Sequence, residues 1–167
     1  MILRRVIFWV GAVSLLLAPY IFSEQGASGA DRAADSRITI SHSGCRGSCP
    51  VYDLTLFPSG LVLYNGVRYV KTIGKAQTQI QPNTYRAFLL DFDRVNFFSL
   101  GECALTMDAP GTTTTVAAYG KSKTVHHTGG CILEPRTEAT ANSKQWIELT
   151  DLEARIEATV NSKQWTE

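Results

Sequence analysis

The run VYDLTLFPSGLVLYNGVRYVKT, residues 51–72, decides the fold class. Its opening residues alternate. Tyr52, Leu54 and Leu56 fall on one side, and Asp53 and Thr55 on the other. That is the period-two pattern of a strand with one buried face. Pro58-Ser59-Gly60 reads as a turn, and residues 61–64 as the returning strand. Asn65-Gly66 is a two-residue hairpin signal, since both positions tolerate positive φ. Residues 67–72 would then complete a three-stranded meander.

On the N-terminal side, residues 37–41 alternate again, with Ile38 and Ile40 on one face, and a Gly/Ser/Cys loop follows over 42–50. On the C-terminal side, Pro82 and Asn83 open a helix. Tyr85, Phe88, Leu89, Phe92 and Val95 recur at three- and four-residue steps and give it one apolar stripe. Gly101 lies beyond its end, and Asp108-Ala109-Pro110-Gly111 is a turn. Residues 112–119 are β-branched and extended, Gly120-Lys121 turns the chain, and 123–128 return as a second hairpin arm. Leu152, Ile156 and Val160 mark an amphipathic C-terminal helix, with Thr150 and Glu153 in capping-box spacing at its start. Strands, helix, strands, helix: this order predicts an α+β fold, an antiparallel sheet of about five to six strands with helices packed on one face.

The eleven residues 136–146, RTEATANSKQW, recur nineteen positions later as 155–165, RIEATVNSKQW, with nine identities. Two copies are too few for a solenoid, so a local tandem duplication is expected, its second copy docking on the sheet.

The chain has 167 residues and a formal net charge of +1. That balance carries no electrostatic footprint for nucleic acid or an anionic membrane. Residues 1–30 read as a signal peptide: Arg4 and Arg5, an uncharged apolar stretch over 6–22, then Ser28 and Ala30 at the −3 and −1 positions. An uncleaved anchor is the alternative, and would be the chain's one membrane contact, because seventeen uncharged residues reach the lower edge of a bilayer span. Residues 31–36 then form a linker, and 37–167 a single domain. The expected location is periplasmic or extracellular.

Cys45, Cys49, Cys103 and Cys131 are an even set in an exported chain, which favours disulfides. Three pairings are open; Cys45–Cys49 with Cys103–Cys131 is preferred. Three residues separate Cys45 from Cys49, and Pro50 leads into a strand. A redox motif has two intervening residues and opens a helix, whose N-terminus lowers the thiolate pKa. A small structural loop is therefore the expectation, and thiol–disulfide chemistry at Cys45 and Cys49 the alternative.

Cys45-Arg46-Gly47-Ser48-Cys49-Pro50-Val51-Tyr52, with Ser59-Gly60, Tyr64-Asn65-Gly66 and Asp108-Ala109-Pro110, resembles a family of bacterial exported domains known only as a domain of unknown function. The resemblance runs from about residue 37 to 165, and the duplicated stretch departs from it. It implies export and one α+β domain, and no activity.

His126 and His127 are adjacent on a strand, so they face opposite ways, and His42 lies near the cysteine loop. Asp91 and Asp93 are two apart and do not face each other on a helix. Glu102 and Asp108 fall in a loop, and no carboxylate pair stands out. Nucleophile-elbow, zinc-helix and P-loop motifs are absent, so neither metal nor cofactor is expected. The reading is a small binding or interaction module of the cell envelope, for a protein or polymer partner, rather than an enzyme. Its expected binding surface is Tyr64, Asn65, Gly66, Tyr69 and Tyr119, on the uncovered sheet face and the Asn65-Gly66 hairpin. A rigid hairpin loop inhibiting a target protein is a further reading.

Overall fold

The computed structural model describes residues 35–101, 103, 109–128 and 139–167. The expected signal segment, Glu102, Asp108, Cys131 and residues 136–138 of the first repeat copy lie outside them. Six strands form one sheet: β1 (Arg37–His42), β2 (Val51–Leu56), β3 (Leu61–Arg68), β4 (Gly74–Gln79), β5 (Gly111–Ala118) and β6 (Lys121–Thr128). Their order is β4-β3-β2-β1-β5-β6, and every pair is antiparallel. Helix α1 (Pro82–Arg94) connects β4 to a 3₁₀ turn at Phe97–Ser99. Helices α2 (Ala139–Val160) and α3 (Lys163–Thr166) close the chain.

The alternation read from sequence sorts the sheet's two faces. Ile38, Ile40, Tyr52, Leu54, Leu56, Val62, Tyr64, Val116 and Val125 are all buried on the inner face. Tyr85, Phe88, Leu89 and Phe92 of α1 cover them, together with Leu149, Leu152, Ile156 and Val160 of α2. Burying each large side chain contributes about 1.5–3 kcal/mol, so this layer is the main reason the two-layer arrangement holds. Arg155 of α2 reaches Asp91 of α1 at 3.2 Å and ties the helices at their rim.

The uncovered face is polar, in rows that cross all six strands. One row is Gln77, Leu63, Thr55, Thr39, Thr115 and Thr124; the next is Lys75, Asn65, Asp53, Ser41, Thr113 and His126. Thr115 and Thr124 hydroxyls meet at 2.8 Å, and Asn65 donates to Asp53 at 3.4 Å.

Four expectations change. Asn65-Gly66 is not a hairpin turn: both residues lie inside β3, and the turn comes at 69–73, with Tyr69 at φ 55°. Strand β4 follows, so the meander has four strands. Gly66 is there for close approach. A Cβ would stand 2.0 Å from the Thr72 carbonyl oxygen and 2.6 Å from the Tyr64 hydroxyl. It also begins a bulge, because Val51 pairs Arg68 while Tyr52 pairs Gly66.

The Thr150/Glu153 capping box is likewise overturned. Helix α2 runs through both residues, and Thr150 Oγ1 donates to the Trp146 carbonyl at 2.9 Å. Ser36, placed in the linker by the sequence, is buried and bonded to the Tyr85 hydroxyl at 2.7 Å, so the fold takes it in.

The duplicated run takes two backbone conformations. Asn142, in the first copy, is inside α2, whereas its equivalent Asn161 turns left-handed at φ 54° and ends the helix. Trp146 and Trp165, the last residue of each copy, are both buried, but at different places. Tertiary contacts, not local propensity, choose the conformation.

Candidate functional site

Helix α2 carries two glutamates one turn apart, Glu153 and Glu157, within the stripe that holds Leu149, Leu152, Ile156 and Val160. The helix therefore presents two carboxylates to the inner face of the sheet. Each meets one histidine and one hydroxyl.

At Glu153 the contacts are complete. Thr114 Oγ1 donates to Oε1 at 2.6 Å, and Oε2 accepts from His127 Nε2 at 2.8 Å. The His127 ring also lies 5.6 Å from the indole of Trp146. Both carboxylate oxygens are engaged and the side chain is 6 % exposed, so this cluster is part of the core.

Glu157 differs. Its Oε1 accepts from His42 Nε2 and, at 3.2 Å, from the Tyr52 hydroxyl. No described residue bonds Oε2, and the side chain is 22 % exposed. Tyr52 stacks on His42 with centroids 4.6 Å apart, and the ring series continues through Tyr64 to Trp165 at 5.7 and 4.9 Å. Burial, and then the charge and hydrogen bond of Glu157, push the Tyr52 phenol far above the usual tyrosine range. Tyr52 is thus a fixed donor that holds the carboxylate in place.

Glu157 and Tyr52 line an open cleft of about 520 Å³ between α2, α3 and the start of β2, with Pro50, Ala154, Ala158 and Asn161. Pro50, Ala154 and Ala158 give the lining its apolar part; Ser162, Lys163, Thr166 and Glu167 add polar groups, with Lys163 paired to Glu167 at 3.0 Å, so the Glu157 carboxylate remains as an acceptor. The arrangement suits a ligand that donates hydrogen bonds, above all an ammonium or guanidinium group.

The residues expected from sequence do not gather at one site. Tyr64 is buried beneath the helices, because its alternation phase matches Tyr52 and Leu54 across the bulge-free part of β3. Asn65 lies on the uncovered face, and Gly66 packs on the Thr72 carbonyl. Tyr69 and Tyr119 are both exposed in turns at opposite ends of the sheet: Tyr69 follows the end of β3 that pairs with Val51, and Tyr119 follows the end of β5 that pairs with Arg37.

Cys45 and Cys49 form a disulfide in the β1–β2 connection, with Cα atoms 5.6 Å apart. A strand follows it, so neither cysteine stands at the start of a helix. Cys103 is disulfide-bonded, but the expected pairing with Cys131 lies outside the described residues. His126 and His127 do face opposite ways: His126 meets Thr113 at 2.6 Å on the outer face, and His127 meets Glu153 inside. Among the described residues, no three His, Cys, Asp or Glu side chains are grouped to hold a metal.

Sequence reasoning missed Glu153 and Glu157. The usable signal was two carboxylates four apart inside an apolar helical stripe, where a solvated charge has no place.

Fold and cluster together define a two-layer α+β domain with a polar seam between its layers. Residues 36–157 match the model of a domain of unknown function, DUF6438, and the chain belongs to that family. No curated protein matches the chain.

Proposed function

We propose that this chain is an exported binding module of the cell envelope, and that it takes its ligand in the cleft beside Glu157. One observation carries the reading. Glu153 spends both oxygens on the protein, whereas Glu157 spends one among the described residues and lines an open cleft. The His42 and Tyr52 contacts hold that carboxylate in position before a ligand arrives, which lowers the ordering cost of binding. Export is supported by the N-terminal sequence pattern and by the Cys45–Cys49 disulfide, a bond typical of oxidising compartments.

The test is a titration of the full chain at pH 7, followed by ¹⁵N NMR, with butylammonium, butyramide and butyrate as probes. Butylammonium should shift the amides of Tyr52, Ala158 and Asn161 and butyrate should not. Glu157→Gln should reduce the butylammonium response at least tenfold, about 1.4 kcal/mol. Responses that are unchanged in Glu157→Gln, or that map away from the cleft, refute the reading. For export, the chain expressed in a bacterial host should lose residues 1–30 and reach the envelope fraction. Full-length, reduced chain in the cytosol would refute it.

A further inference from the structure

The turn between β3 and β4 concentrates what the whole-chain charge conceals. No acidic residue occurs from 54 to 90, while Arg68, Lys71 and Lys75 all fall within or beside this one turn. All three are exposed. Between them stand three large apolar side chains open to solvent, Val67 at 52 %, Tyr69 at 54 % and Ile73 at 64 %. The other exposed large hydrophobics among the described residues are scattered over β3, α1, α2 and the β5–β6 turn.

The turn is also held in shape. The Thr72 amide donates to the Trp165 carbonyl at 2.9 Å, and the Tyr64 hydroxyl donates to the Thr72 carbonyl at 3.2 Å. Gly66 pairs Gly74 at its base. Its apolar tips are thus displayed without the collapse onto the core that such side chains otherwise undergo.

We infer that this turn is a docking surface for an anionic lipid bilayer, with Val67, Tyr69 and Ile73 entering the headgroup region and Arg68, Lys71 and Lys75 meeting lipid phosphates. Charge complementarity decides the occupant. The turn itself carries three cations and no anion; the carboxylates that other elements bring near it are Asp53, in the row of Lys75, and Glu167, which pairs with Lys163, so the local balance stays positive. A positive cluster attracts a negative surface, and apolar and tyrosyl tips beside cations suit the interfacial zone of a bilayer. Among the described residues no helix is long and apolar enough to cross a membrane, so the contact made here is peripheral. The inference goes beyond the cleft and does not depend on its ligand.

The experiment is co-sedimentation of the full chain with vesicles of pure phosphatidylcholine and with vesicles containing phosphatidylglycerol. Arg4 and Arg5, before the domain, also favour the anionic vesicles, so the quantity that isolates the turn is the change in the ratio of the two partition coefficients between wild type and the lysine variant. Each cation near an anionic surface multiplies partition roughly fivefold. The wild-type ratio should therefore be on the order of a hundred and fall with salt. Lys71→Ala with Lys75→Ala should lower it about 25-fold. Ile73→Ser should reduce partition onto both vesicle types. These are exposed positions, and thermal melting of each variant confirms that the fold is intact. A ratio near one for wild type, or one that the lysine variant leaves unchanged, overturns the inference.

Discussion

Replacing Glu153 by alanine removes the acceptor of two buried donors at once. Thr114 Oγ1 and His127 Nε2 both bond its carboxylate, and all three side chains are buried. A buried donor left without a partner costs about 1–3 kcal/mol, and here two are left. Glu153→Ala should therefore destabilise the domain by about 3–5 kcal/mol, the cost of two orphaned donors and a large part of a typical total of about 5–15 kcal/mol. In a thermal melt the loss is roughly 10–20 °C. Glu153→Gln keeps the shape and the Thr114 bond, and should cost only about 1 kcal/mol. Adding His127→Ala to Glu153→Ala should cost less than the sum of the single losses, with a coupling of about 1–3 kcal/mol. The assay is urea unfolding at pH 7 with the m value checked for constancy. Strict additivity, or a Glu153→Ala domain as stable as wild type, would refute the claim that this carboxylate joins the layers.

Cys45→Ser opens a loop with a sequence separation of 4. So short a closure should cost about 2 kcal/mol, read as a lower urea midpoint; an unchanged midpoint under oxidising conditions would show that the bond contributes no stability. Gly66→Ala forces a Cβ to within 2.0 Å of the Thr72 carbonyl oxygen. It should cost at least about 1–3 kcal/mol, whereas a change within the error of the melt would restore the hairpin-turn reading. The phenols of Tyr52, Tyr64 and Tyr85 are all raised, in each case first by burial. An unfolded tyrosine titrates at about pH 10, so above that pH the unfolded chain holds fewer protons than the folded one. Stability should be complete below about pH 10 and then fall by up to about 1.4 kcal/mol per pH unit for each tyrosine. Tyr52→Phe should flatten that fall. Urea midpoints at pH 9, 10 and 11 that stay level in wild type would contradict the sign.

The fold was legible where side chains report only on burial. Tyr52, Leu54 and Leu56 alternate because one side of β2 is covered, and Tyr85, Phe88, Leu89 and Phe92 recur because one side of α1 does the covering. It was illegible where distant groups decide. Asn65-Gly66 has every local property of a turn, yet the Thr72 carbonyl arriving from the next connection explains the glycine. Thr150 and Glu153 have the spacing of a cap, yet Thr114 and His127 occupy the carboxylate. The candidate cluster joins His42 to Glu157 across 115 residues, a juxtaposition that only the sheet order creates. Charge count misleads in the same way at the β3–β4 turn, where a net value of +1 averages away a local group of cations.

The two inward-facing glutamates of α2, Glu153 and Glu157, also act as a vernier. Leu149, Leu152, Ile156 and Val160 recur so regularly that greasy contacts alone would tolerate the helix sliding by four residues, about 6 Å. Such a slide would deliver Glu157 to the donors of Glu153 and strand His42 and Tyr52. Two acceptors at matched pitch therefore give α2 a single longitudinal setting, and with it a defined mouth for the cleft.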